Sequence, residues 1–102
     1  MTRKEQIEAM LKEEPYDAEL RYMLAMEHVS LGDDAGAVGV FQNLIADTPT
    51  HAPAYHMMGR ALQRLGRIGD AKKLLQTGIP IAMKSGNAHA AGEMQELLEN
   101  LD

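Results

Sequence analysis

Residues of this sequence recur along the chain at a fixed offset of 34, and this repetition constrains the fold more than any other feature. The segment from Pro15 to Pro49 is repeated by the segment that follows it. The matched positions include the pairs Leu31/Leu65, Gly32/Gly66, Met23/Met57, Ala37/Ala71, Gln42/Gln76 and Ile45/Ile79. A fixed period of this length is typical of stacked repeats, because one unit alone cannot bury its apolar face.

Apolar residues follow a helical spacing along the whole chain, and strand patterns are absent from the sequence. Capping residues, glycines and prolines divide this pattern into six predicted helices. These helices cover residues 2–13, Asp17 to Gly32, Asp33 or Asp34 to Pro49, Ala52 to Gly66, Ile68 or Asp70 to about Ala82, and 88–101.

Two features set the last two helices apart. Pro80 falls inside the fifth helix, where it removes one backbone hydrogen bond, so we expect a kink or a break there. The repeat register is lost in the sixth helix, which is what a terminal cap on a stack would show.

Composition excludes several classes of protein. The 102 residues suit one domain, and the absence of Cys excludes disulfides and thiolate metal sites. A net charge of -5 argues against nucleic acid as a partner, and no run approaches the ~20 apolar residues of a membrane span. The sequence therefore predicts a cytoplasmic protein. Its charge is uneven: -6 over residues 1–51, +5 over residues 52–84 and -4 over residues 85–102.

The repeated unit resembles the tetratricopeptide repeat. The residues that carry the resemblance are Leu24, Ala25, Gly32, Ala37, Phe41 and Pro49 in the first copy, and Met58, Gly59, Gly66, Ala71 and Leu75 in the second. Two positions depart from the family's pattern: Arg21 stands where a large apolar residue is usual, and His28 where Tyr is frequent.

The resemblance implies an all-α fold, a right-handed helix-turn-helix solenoid of about six helices with a C-terminal capping helix. We expect a single domain over residues 1–102. Within it, residues 2–15 would form an N-terminal half unit, 18–51 and 52–85 two repeats, and 87–101 the capping helix.

The resemblance also implies a concave groove, lined by the first helix of each unit, that takes a peptide. The groove positions carried over to this chain are Glu19, Tyr22, Met26 and Val29 in the first unit, and Pro53, His56, Arg60 and Gln63 in the second. Tyr22 and Met26 would form an apolar half of the groove, beside a basic half made of His56, Arg60 and Arg64. Arg60, Arg64 and Arg67 recur at helical spacing, so they form either an anion site on one flank or a solvated helix face.

Other kinds of site find little support in the sequence. The four His residues are scattered, and no Gly-rich phosphate loop or nucleophile motif occurs, so we expect no metal, no cofactor and no enzyme activity. Glu93, Glu96 and Glu99 recur along the last helix. They form either a solvated face or an acidic patch that docks on the basic face of another copy.

The sequence therefore predicts a non-catalytic protein-interaction module that binds an acidic or C-terminal peptide in the groove. Two alternatives stay open. Residues 2–15 lack a leading helix, so a second copy could cover the N-terminal end and give a self-assembling scaffold element or homodimer. The chain could also be a fragment of a longer repeat protein.

Overall fold

The computed structural model describes residues 1–101, which fold into six α-helices joined by short turns and contain no strand. The helices are α1 (Arg3–Glu13), α2 (Ala18–Ser30), α3 (Asp34–Asp47), α4 (Ala52–Arg64), α5 (Ile68–Lys84) and α6 (Ala88–Glu99). The predicted all-α helical-repeat fold is confirmed. None of these helices is both long enough and apolar enough to span a bilayer, within the part of the chain that is described.

Local side-chain hydrogen bonds determine where most of the helices begin. Thr2 and Glu5 form a capping box, in which the Glu5 N–H donates to Thr2 Oγ1 at 3.1 Å and the Thr2 N–H donates to Glu5 Oε1 at 3.0 Å. The carboxylates of Asp17 and Asp33 and the amide of Asn87 accept from the third residue after each. Three helices are followed by a glycine with φ near +76°, at Gly32, Gly66 and Gly86.

The core lies around α4, which packs against α3, α5 and α6. Close approach of the helices depends on small residues: Ala25, Ala37 and Ala71 have no exposed surface. A Cβ atom placed on Gly59 would lie only 2.9 Å from Leu75 Cδ2. Since core packing leaves little free volume, these positions exclude larger side chains.

The unusual Arg21 has the same structural role as its counterpart in the next repeat, Tyr55. The Tyr55 hydroxyl donates a 2.8 Å hydrogen bond to the Pro49 carbonyl. Arg21 Nε donates at 3.0 Å to the carbonyl of Pro15, which is the equivalent of Pro49 in the preceding unit. The guanidinium also pairs with Asp47 at 2.6 Å, so its charge is compensated although the side chain is only 15% exposed.

Pro80 does not break α5. The helix continues from Ile68 through Pro80 to Lys84, and it packs through Gly78 and Ala82 on either side of the proline. The proline itself is exposed, so its ring faces solvent and the helix is held by the buried side. The expected break is therefore absent.

The two ends of the stack differ in how much they bury. α1 buries a single side chain, Ile7, and is tied to α2 by an ion pair of 2.6 Å between Arg3 and Glu27. The C-terminal end, formed by α6 and the residue that follows its C-cap, buries Ala90, Ala91, Met94 and Leu101. The C-terminal end is thus a packed part of the core, whereas α1 lies at its margin.

Candidate functional site

Helices α2, α4 and α6 run in the same direction, because each is separated from the next by one helix and two short turns. Their side chains meet on one surface. Glu93 on α6 lines the same cavity as His56 and Arg60 on α4, and it adds to the effect of burial in raising the pKa of Tyr22 on α2. We call this surface, lined by Tyr22, Met26, His56, Arg60 and the facing side of α6, the groove.

The α2 part of the groove is apolar and half-buried. Tyr22, Met26 and Val29 pack against the core, and the Tyr22 ring lies 6.0 Å from that of Phe41 and 5.3 Å from that of His51. Burial raises the pKa of the Tyr22 hydroxyl, and Glu19 and Glu93 add to this effect. The phenol is therefore a neutral hydrogen-bonding group at the edge of an apolar surface.

His51 joins α2 to α4, a role that the sequence did not suggest. Its Nδ1 accepts the Ala54 N–H at 3.3 Å and so caps α4. Since Nδ1 accepts, the proton lies on Nε2, which donates to the Glu19 carboxylate at 3.2 Å. Glu19 itself is largely exposed, and this contact holds it beside Tyr22.

The α4 part of the groove faces α6 across a cavity of about 280 Å³. On the α4 side the cavity is lined by His56, Arg60 and Gln63, which the sequence placed together. On the α6 side it is lined by Glu93, Glu96, Leu97 and Asn100, none of which was predicted to belong to the groove. The start of α6 lies 36 residues after the start of α4, not 34. The repeat period therefore does not reveal that these α6 residues face the α4 residues.

His56 is the buried titratable group of the cavity. Burial is the main cause that lowers the pKa of its imidazole below the ordinary value of 6.5. Glu93 opposes this shift, whereas the positive charges of Arg60 and His89 reinforce it. His56 is thus held towards its neutral form, and the cationic charge on the α4 side is carried by Arg60.

The five arginines of the chain differ in whether they form an ion pair with a carboxylate of the protein. Four of them pair with a carboxylate: Arg3 with Glu27, Arg21 with Asp47, Arg64 with Asp34 and Arg67 with Asp70. Within residues 1–101, Arg60 has no such partner, and its side chain is exposed in the cavity. It is the arginine that is available to a ligand.

Arg64 therefore lies apart from the groove residues with which the sequence grouped it. Its Nε and Nη2 donate to Asp34 Oδ1 at 3.0 and 2.9 Å, which ties the end of α4 to the start of α3. Arg67 Nη2 pairs with Asp70 at 2.8 Å in the next turn. Arg64 and Arg67 thus already pair with carboxylates, and an anion site that uses all three arginines stays a prediction.

Cavities also occur elsewhere in the described residues. One of about 480 Å³ lies between α3, α4 and α5, with Ile45, Met58 and Leu74 among its apolar lining. Another, of about 410 Å³, lies at the N-terminal end, where Met10 and Leu20 are surrounded by Glu13, Glu14, Asp17 and Glu19. No group of His, Asp or Glu within residues 1–101 is arranged to hold a metal ion.

Antiparallel helix pairs stacked around small residues define a helical-repeat protein, and sequence comparison identifies the repeat. Residues 28–94 match the profile of the tetratricopeptide repeat, which is most of the chain, and the protein belongs to this family. Domains of this family are generally protein–protein interaction modules and are typically non-catalytic.

Relatives and solved structures agree with this assignment. The TPR repeat-containing protein PA0015 of Pseudomonas aeruginosa is 28% identical over 98 residues, which is 96% of this chain and 93% of that protein. A tetratricopeptide repeat domain protein from Salinibacter ruber, solved in solution by NMR, is 30% identical with a TM-score of 0.77, and the match covers 82% of this chain and 85% of that one.

The TPR2B domain of yeast Sti1, solved in a complex with pHsp70, has the same fold. The TM-score is 0.88 at 20% identity, and the match covers 94% of this chain and 77% of that chain.

Proposed function

We propose that this protein is a non-catalytic interaction module that binds a peptide segment, acidic or C-terminal, in the groove. The observation that carries the proposal is that Arg60, unlike the other four arginines, has no carboxylate partner within residues 1–101. A guanidinium forms directional, charge-assisted hydrogen bonds to a carboxylate, so Arg60 would hold an acidic side chain or a chain terminus.

The surroundings of Arg60 support a peptide rather than a small anion. Tyr22 and Met26 are half-buried on α2, and Glu93, which lines the cavity, also acts on Tyr22, so an anionic group at Arg60 and an apolar side chain at Tyr22 could belong to one segment. Within the described residues, the side chains of Gln63 and His56 make no hydrogen bond to another residue and remain available to the peptide. The yeast Sti1 domain, which has this fold, was solved in a complex with pHsp70.

A random-peptide display library, selected on the wild type and two charge-reversed variants, tests this proposal. We expect wild-type selections to be enriched in Asp, Glu or a free C-terminal carboxylate. Arg60→Glu should weaken the selected peptides by about 1.5–3 kcal/mol, roughly 10- to 100-fold, because a charge-assisted bond is lost.

Lys73→Glu is the matched control, since it makes the same charge change on the exposed side of α5. It should leave the affinity unchanged. Peptides that bind Arg60→Glu normally but fail on Lys73→Glu would move the site to the cavity between α3 and α5, and the proposal would be abandoned. Circular dichroism of each variant would verify that the helices are intact.

Self-association through the N-terminal end is a second candidate. It is favoured by Met10, which is 45% exposed beside the apolar part of the N-terminal cavity. The four acidic residues around that cavity would repel the same end of another copy, so a symmetric contact is disfavoured. Light scattering over a wide concentration range decides the matter: a monomer at every concentration would eliminate this candidate.

A further inference from the structure

The cavity that holds Arg60 also holds two carboxylates from the capping helix. Glu93 and Glu96 line it from the α6 side, opposite His56, Arg60 and Gln63 on α4. A site built only for an acidic ligand would not present two acidic residues to it, because like charges brought together in a partly desolvated space repel.

These carboxylates are not neutralised by the cations of the groove. No ion pair joins Glu93 or Glu96 to Arg60 within the described residues. Glu93 Oε1 lies 2.9 Å from His89 Nε2, one turn earlier on the same helix, and that histidine is 87% exposed. The side chain of Glu96 makes no hydrogen bond within residues 1–101. Asn100 Nδ2 donates at 2.8 Å to the main-chain oxygen of Glu96 and not to its carboxylate.

The cavity therefore offers, among the described residues, an unpaired arginine on one wall and, on the other, the unpaired Glu96 carboxylate beside Glu93, whose partner His89 is exposed. Leu97, on the α6 wall, is half-buried and adds an apolar contact. A ligand that satisfies both walls must carry an anionic and a cationic group within one short segment, and a purely acidic segment would be penalised by Glu93 and Glu96.

We propose that the groove selects a mixed-charge peptide, with its acidic group on Arg60 and a neighbouring Lys or Arg on Glu96 and Glu93. This rests on the proposed function and makes it more specific. The capping helix is then a specificity-determining element: α4 supplies the general affinity for a carboxylate, and α6 rejects partners that lack the cation.

Synthetic octapeptides, acetylated and amidated so that their ends are uncharged, test this directly. Each contains one Glu and one Lys, separated by one to four residues in a background of Ala, Leu and Gln. The best of these is compared with versions in which Glu, Lys or both are replaced by Gln. Binding is followed by ¹⁵N NMR titration, which detects complexes as weak as millimolar and reports which residues of the protein are contacted.

The peptides are titrated into the wild type, Glu96→Gln, Glu93→Gln/Glu96→Gln and a control, Glu99→Gln. Glu99 lies on the same helix but does not line the cavity, and its carboxylate accepts a hydrogen bond from Gln95 at 3.2 Å. In the wild type, replacing the peptide Lys should weaken binding about three- to fivefold, as expected for a solvent-accessible ion pair. The same replacement should have no effect in the double variant and its full effect in Glu99→Gln.

The outcomes separate the two proposals. If the peptide with Glu alone binds the wild type as tightly as the mixed peptide, the mixed-charge inference is overturned and the peptide-binding function stands. The mixed-charge inference is also overturned if the preference for Lys survives in the double variant. If no peptide shifts the resonances of groove residues in the wild type, the mixed-charge inference is overturned, and the display selection, which also presents free C-termini, decides the proposed function separately.

Discussion

Gly39 and Gly78 lie in the interiors of two helices, α3 and α5, but in opposite surroundings. A Cβ atom on Gly39 would meet nothing within 4 Å. A Cβ atom on Gly78 would lie 2.7 Å from Tyr55 Cβ and 2.9 Å from the Met94 sulfur. Glycine is thus not required by packing at position 39, where it only lowers helix propensity, whereas packing requires it at position 78.

We predict that Gly39→Ala and Gly78→Ala will change stability in opposite directions. Gly39→Ala should stabilise the protein by about 0.5–1 kcal/mol, because Ala is the better helix former and space is open. Gly78→Ala should destabilise it by about 1–2 kcal/mol, because overpacking outweighs the gain in helix propensity. Urea unfolding measures both, and two changes of the same sign would contradict the packing of α4, α5 and α6.

The protonation of His56, a groove residue, makes the stability of the fold depend on pH. Its pKa lies below the ordinary value of 6.5, mainly because of burial, so the folded protein binds its proton more weakly than the unfolded chain does. The contribution of this residue to stability is therefore complete above pH 6.5 and is lost as the pH falls through the lowered pKa. Glu93, Arg60 and His89 are the charged groups whose fields act on it.

We expect the unfolding free energy of the wild type to fall more steeply between about pH 7.5 and about pH 5.5 than that of His56→Gln. The comparison with the variant cancels the titration of the other three histidines. Urea unfolding at the two pH values is the measurement. Equal slopes for the two proteins would show that His56 is not held towards its neutral form.

At the scale of the helix, α5 shows how packing overrides a local rule. Pro80 lacks an N–H group, so it cannot donate to the carbonyl of Gln76 in the turn before it. The helix nevertheless continues beyond it to Lys84, with Ala82 fully buried. Burial on both sides of the proline offsets the missing bond.

Pro80→Ala should accordingly stabilise the protein by about 1–3 kcal/mol. The variant restores one backbone hydrogen bond and removes the clash of the ring with the preceding turn, and the proline ring is exposed, so no buried contact is lost. The lower end of the range allows for the stiffness that proline confers on the unfolded chain. Thermal and urea unfolding would reveal the change. A loss of stability would indicate that the proline shapes the helix for packing.

In the molecule as a whole, the two ends of the stack bury different numbers of side chains. The N-terminal helix contributes one buried side chain, Ile7, while α6 and the residue beyond its C-cap contribute four, among them Met94, whose sulfur lies against Gly78. In a repeat stack each element is stabilised by its neighbours alone, so the cost of removing an end depends on what that end buries.

Deleting residues 1–16 should leave a folded stack that has lost about 1.5–3 kcal/mol, the value of one large buried side chain. Deleting residues 88–102 should abolish cooperative unfolding, because it exposes the apolar sides of α4 and α5. Circular dichroism melts and dye binding distinguish these outcomes. Similar melts for the two truncations would contradict the unequal ends.

The helices and their order could be predicted from sequence because their determinants are local. Thr2, Asp17 and Asn87 cap helices through residues three positions away, and Gly32, Gly66 and Gly86 end them. The small residues at the crossings recur at the fixed offset of the repeat, so the stacking was also visible. The outcome at Pro80 could not be foreseen, since it depends on packing contributed by other helices.

The groove was predictable in part. Tyr22, Met26, His56, Arg60 and Gln63 share helix faces, and periodicity is enough to group them. The contribution of Glu93 and Glu96 was not recognised, because the offset of α6 from α4 differs from the repeat period and the pattern is broken there. Helical spacing also could not show that Arg64 pairs with Asp34 while Arg60 lines the cavity.

The all-helical repeat stack can be inferred from the sequence, since capping, periodicity and small crossing residues act over a few positions or at a fixed offset. Which charges remain for a partner depends instead on contacts between distant parts of the chain. Arg21 and Arg64 pair with Asp47 and Asp34, which lie 26 and 30 residues away on another helix. Such pairs depend on how helices are placed in space, and that placement leaves Arg60 facing the carboxylates of the capping helix.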